Sequence, residues 1–184
     1  MLSQVGWFRI CTAFTSVFLL SCGGEDTGEA DPCLGGGDAS LVIGFGVGGD
    51  FNPYKEDSLV GLDVAPQGGF GVPVRLRTEG LRVRANAADT ANPDAPYASV
   101  NVLLDTYIDG ALSASFLNDT AVAYCQDDGT GLMWDLVVGF DAEKYTNDNL
   151  IDLHGMEAQL VVEATDAEGH TATASVTVQI SLEE

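Results

Sequence analysis

From Ser40 to the end of the chain, apolar and polar residues alternate with a period of two, and this pattern selects strands over helices. Phe70, Val72, Val74 and Leu76 alternate with Gly71, Pro73, Arg75 and Arg77. Ala98, Val100, Val102, Leu104 and Ile108 form a second such run, and Ala172, Ala174, Val176, Val178, Ile180 and Leu182 a third. Shorter runs lie at 41–47, 58–64, 111–117, 132–140 and 156–165. Each run faces a core on one side and water on the other. Between them stand turn formers: Pro66-Gln67-Gly68-Gly69, Asp109-Gly110, Asp127-Asp128-Gly129 and Asp166-Ala167-Glu168-Gly169. Asp109-Gly110, set between two alternating runs, is the sharpest hairpin signal. Pro73 has no N–H to donate and belongs near a strand edge or end. One helical turn fits within 143–153. The pattern predicts an all-β chain, an antiparallel β-sandwich of about eight or nine strands over residues 40–184. Trp134, amid Leu132, Leu136 and Val138, is expected in its core.

The segment Glu163-Ala164-Thr165-Asp166-Ala167-Glu168-Gly169-His170-Thr171-Ala172-Thr173-Ala174-Ser175-Val176-Thr177-Val178 resembles the last hairpin of bacterial immunoglobulin-like domains. Domains of that class, including the PKD-like and cadherin-like groups, often end in an apolar strand, an Asp-x-x-Gly turn and a Thr/Val-rich strand. The resemblance spans about 20 residues and implies an immunoglobulin-like sandwich; it transfers no binding residues.

The N-terminus has a different character. Ile10 to Leu20 is an 11-residue apolar run preceded by Arg9, a length that suits a signal peptide and falls short of the ~20 residues of a transmembrane helix. It closes on Leu19-Leu20-Ser21-Cys22, which resembles the lipobox of bacterial lipoproteins. That resemblance implies removal of residues 1–21, acylation of Cys22 and attachment to a cell-envelope membrane through the lipid. Gly23, rather than Asp, after the cysteine leans toward the outer membrane by the sorting rule of some Gram-negative lipoproteins. Residues 22–39 carry few apolar side chains and read as a flexible tether with a mean reach of about 20–25 Å.

With Cys11 lost and Cys22 acylated, Cys33 and Cys125 remain, and in an oxidising compartment they are expected to form a disulfide. Two cysteines and two distant histidines lack the spacing of a zinc site.

The formal net charge is −21, and loss of Arg9 with the signal takes it to −22. So acidic a chain does not suit nucleic acid or anionic membrane surfaces as partners. Of the few cations, Arg75, Arg77, Arg82 and Arg84 fall within ten positions. They read either as partners of acids on neighbouring strands or as a docking patch for an acidic partner or glycan. The acids Asp127-Asp128, Asp141-Glu143, Asp148-Asp152 and Asp166-Glu168 lie in expected loops, where calcium finds oxygens; their spacing is not that of an EF-hand.

Signs of catalysis are absent from the sequence. It has no Gly-x-Ser-x-Gly elbow, and its histidines, His154 and His170, sit at expected turns. Gly44-Phe45-Gly46-Val47-Gly48-Gly49 has neither the Lys-Ser/Thr nor the following helix of a phosphate loop. The expectation is a non-enzymatic, lipid-anchored envelope protein with an interaction or structural domain and no cofactor, its partner an envelope protein or glycan. The alternative is a calcium- or carbohydrate-binding module built on the acidic loops.

Overall fold

The computed structural model describes residues 32–65, 68–83 and 97–182. The chain there is all-β. Its strands are β1 (Ser40–Phe45), β2 (Asn52–Pro53), β3 (Ser58–Val60), β4 (Asp63–Val64), β5 (Phe70–Glu79), β6 (Tyr97–Ile108), β7 (Ala111–Cys125), β8 (Gly131–Gly139), β9 (Glu157–Thr165) and β10 (Thr171–Ile180). The only helical pieces among the described residues are two single 3₁₀ turns, at Pro32–Leu34 and Leu150–Leu153, and no helix is long and apolar enough to cross a membrane. The sequence pattern counts eight or nine strands; ten are described, because β2 and β4 are two-residue pairings too short to leave a periodic signal.

The strands follow one hydrogen-bonded path, β2-β1-β5-β8-β7-β6-β9-β10-β3, with β4 on the edge of β5. Every pairing is antiparallel except β3 with β10, which is parallel. β7 pairs with β6 along most of its length but meets β8 only at Tyr124↔Leu132 and Cys125↔Gly131. At that corner the path folds over, so that β1 lies against β10 and β6 against β8 without strand pairing. One core fills the space between: Val72, Val74 and Leu76 of β5, Val100, Val102 and Leu104 of β6, and Ala158, Leu160, Val162 and Ala164 of β9, all under 4% exposed. Period-two alternation is what lets each strand contribute only one face to it. Thr106, buried among these side chains, donates its hydroxyl hydrogen bond to the Gly139 carbonyl at 2.7 Å, so its polar group is satisfied across the fold.

The turns follow their chemistry. Asp109 (φ 50°) and Gly110 (φ 76°) both take left-handed backbone in the two-residue loop between β6 and β7, as a type I′ hairpin requires. Pro73 sits on the stretch of β5 that pairs with neither β1, which stops at Arg75, nor β4, which stops at Gly71. The Tyr54 hydroxyl donates to the Pro73 carbonyl on that side, so the missing N–H falls where no strand asks for it.

Packed structure begins earlier than Ser40. Cys33 is fully buried and joined by a disulfide to Cys125, with Cα atoms 5.8 Å apart. The Cys33 carbonyl accepts from the Val83 N–H and the Gly80 carbonyl from the Gly36 N–H, which fastens residues 33–36 to the chain beyond β5. Residues 22–31 of the expected tether, with Cys22 and the signal, lie outside the described residues. The crosslink closes a 92-residue separation, for which the chain-entropy estimate is about 4–5 kcal/mol. The double variant Cys33→Ser/Cys125→Ser is expected to fold on its β core, yet to melt roughly 10–15 °C lower in a thermal scan. An unchanged melting temperature would show that the crosslink does not restrain the unfolded chain.

Candidate functional site

The most distinctive surface is the outer face of β1, β5, β8 and the end of β7. Its geometry starts from a bulge. Val74 pairs with Leu136 but Leu76 pairs with Met133, so β8 holds one residue more than β5 over this stretch. Asp135 takes the extra place with φ 60°, left-handed backbone in a non-glycine residue. Met133 and Leu136 both stay in the core, and Trp134 is turned outward. The core position expected for Trp134 is therefore corrected: the bulge breaks the alternation and re-aims the ring.

Outside, the indole of Trp134 lies flat on Tyr124, with centroids 4.2 Å apart and planes 6° apart. The Arg75 guanidinium sits 5.9 Å from the Trp134 ring. Arg75 also donates to the carbonyls of Gly48 (2.5 Å) and Asp50 (3.0 Å), tying the 46–51 loop across the sheet. That loop lies close because Gly44 leaves room for it: a Cβ at Gly44 would come within 2.7 Å of the Phe51 ring. Gly44 and Gly46 thus serve close approach of the chain, whereas a Cβ at Gly48 or Gly49 would meet nothing.

The arginines divide. Arg77 forms an ion pair with Asp128 and donates to the Thr130 hydroxyl, 3.2 Å. Hydrogen bonds from the Thr130 side chain and backbone, then Arg77, hold the Asp128 carboxyl below the usual range. Arg82 lies past the end of β5, buried, with Glu168 at 2.8 Å. Arg84 lies outside the described residues. Acids of the turns, rather than of neighbouring strands, therefore take Arg77 and Arg82, and backbone carbonyls take Arg75.

Two clefts flank the 46–51 loop. The smaller, about 440 Å³, lies between Phe51, Arg77 and the Gln126–Asp128 turn. The larger, about 860 Å³, is walled by Phe45, Val47, Leu59 and Val64, with core residues Val60, Val74 and Leu136 at its floor. Tyr54 also lines it, its ring stacked on Phe45 at 5.0 Å, and burial raises the Tyr54 hydroxyl pKa to about 12.

A second polar cluster closes the end of the fold near Cys33. Asp166, its side chain fully buried, accepts from the N–H groups of Arg82 (2.8 Å), Glu168 (2.9 Å) and His170 (2.9 Å), and its Oδ2 lies 2.9 Å from the His170 ring Nδ1. Burial alone would raise its pKa, but the bonds from Arg82, His170 and Glu168 outweigh it and lower the value. His170, read from the sequence as a turn residue, is thus half-exposed and bonded into the turn. His154 accepts from the Leu182 N–H at 3.0 Å and ties down the stretch that follows β10. The Asp127-Asp128, Asp141-Glu143 and Asp148-Asp152 pairs lie in turns, and their carboxylates serve local N–H groups at Asp128 and Asp141. Among the described residues no three His, Cys, Asp or Glu side chains gather as metal ligands.

Trp134 is the single tryptophan of residues 22–184, the other being Trp7. Its fluorescence therefore reports on this face. Arg75→Ala uncovers one side of the indole and is expected to shift its emission to longer wavelength, with about 1 kcal/mol lost in urea unfolding. An unshifted spectrum would mean that Arg75 does not shield the ring.

No protein-family model matches this chain, and no curated protein is recognisably similar to it in sequence.

Proposed function

We propose that this chain is a lipid-anchored protein of the bacterial cell envelope whose β domain is a non-catalytic, immunoglobulin-like interaction or structural module. The observation that carries the reading is the strand order. β1, β5, β8 and the end of β7 follow the A-B-E-D order of such sandwiches, and β6, β9 and β10 follow C-F-G. Asp166-x-x-Gly169 supports it further, since the aspartate organises the turn that the resemblance rests on. The bonded Cys33–Cys125 pair fits an exported chain.

The anchor would enter the domain at a defined place. Cys33, eleven residues after Cys22, is fastened by its disulfide to the β7–β8 corner. In this reading the Asp127-Asp128 and Asp166–Gly169 turns, at the end of the domain where Cys33 is fastened, lie nearer the lipid than the Asp109-Gly110 hairpin at the opposite end. Carboxylates crowd the near end, so attachment depends on the lipid rather than on surface charge. Fractionation of the native cells tests this: the protein should stay with membranes through high-salt and alkaline washing and leave only with detergent. Release by salt or alkali would overturn the anchored reading.

A further inference from the structure

We infer that the larger cleft is a strand-docking site for an extended segment of another protein, apolar in its middle and carrying lysine or arginine; this rests on the reading of the domain as an interaction module.

The first support is topological. The two ends of the strand path, β2 and β3, both border this cleft, through Asn52 and through Ser58, Leu59 and Val60. Pro73 and Val74 of β5 also line it, but Pro73 has no N–H and its carbonyl accepts from the Tyr54 hydroxyl, so this stretch forms wall rather than pairing edge. Two strand edges, β2 and β3, thus face one opening with no strand beside them among the described residues. Such edges recruit an added strand, because its backbone supplies the absent hydrogen bonds. The second support is exposure. Phe45 (45%), Val47 (84%), Leu59 (67%) and Val64 (64%) all project at this opening, and solitary exposed apolar side chains would need no such gathering.

Charge decides what kind of segment fits. Asp50, Asp63 and Asp135 stand around the cleft, and none has an ion-pair partner among the described residues. Arg75, the cation on its wall, is engaged by the Gly48 and Asp50 carbonyls. A second copy of this chain would bring its own charge of −21 to an acidic rim, so it is the disfavoured occupant. A segment alternating apolar and basic residues matches both the apolar walls and the carboxylates. The bulge at Asp135 serves the same end, because left-handed backbone there holds a carboxylate on the wall of the cleft.

The test uses the purified processed protein and two dye-labelled peptides, acetyl-Lys-Val-Thr-Val-Lys-Val-Thr-Val-Lys-amide and its counterpart with glutamate at every lysine. The basic peptide should bind at least tenfold more tightly by anisotropy and shift amide resonances in 45–47, 58–64 and 74–75. Leu59→Ser/Val47→Ser, both exposed and tolerant of change, should weaken it at least fivefold, and Asp63→Asn/Asp135→Asn should narrow the preference over the acidic peptide. Equal binding of both peptides, resonance shifts confined to other faces, or no binding would overturn the inference. A photo-crosslinker at Leu117, far from the cleft, separates this failure from that of the module reading. Envelope proteins captured there but not from position 59 would refute the cleft alone; none captured from either position would refute the module itself.

Discussion

Cys22→Ala is expected to abolish acylation and leave the chain as an unprocessed or soluble precursor, shifting essentially all of it out of the detergent-extracted membrane fraction. The reason is the size of the terms. An acyl chain contributes about 0.8 kcal/mol per buried CH₂, so two or more chains anchor a protein stably at a membrane. The chain's formal net charge of −21 is repelled by anionic headgroups, and no helix among the described residues is long and apolar enough to span a bilayer. Cell fractionation of the variant beside wild type reads the result. Normal processing and continued membrane partition of Cys22→Ala would contradict the anchor.

Asp166→Ala should give the largest loss of folding stability from a single polar residue, about 3–5 kcal/mol in denaturant unfolding. The carboxylate is fully buried and satisfies three backbone N–H groups and the His170 ring. Its removal strands the buried Arg82 N–H and loosens the turn that keeps Glu168 on the Arg82 guanidinium. The same bonds fix the pH dependence. Because the folded-state pKa of Asp166 is lowered, its contribution is complete above the unfolded value near pH 4 and is lost as pH falls through the folded value. Wild type should therefore lose stability below about pH 4, and Asp166→Asn, already weakened at neutral pH, should show a shallower acid loss. A full-strength acid transition in Asp166→Asn would assign it to other carboxylates.

Much of this architecture is legible in the sequence because most strands bury one face. Ala158, Leu160, Val162 and Ala164 alternate cleanly with Glu157, Gln159, Val161 and Glu163, and all four are fully buried. Asp109-Gly110 and Asp166 to Gly169 specify their turns through local backbone chemistry. Trp134 was beyond the reach of that logic. A bulge is a mismatch between two strands, and β8 alone carries no sign that β5 will pair one residue short. The clefts were hidden for the same reason, since β2 and β4 are two residues long and their walls meet only through tertiary packing. The arginine stripe was visible, but not its division among Asp128, Glu168 and the carbonyls of the 46–51 loop. Asp166 illustrates the middle case: its turn was readable, whereas its bond to Arg82, 84 residues away, was not.

The central claim is that this β domain hangs from an acylated cysteine in the cell envelope. Intact-mass and N-terminal peptide mass spectrometry of protein taken from native membranes tests it most directly. The account predicts a chain beginning at Cys22, its N-terminal peptide carrying a diacylglyceryl thioether, with Cys33 and Cys125 disulfide-linked. A chain that retains Met1 to Ser21, or begins elsewhere with Cys22 unmodified, would contradict it.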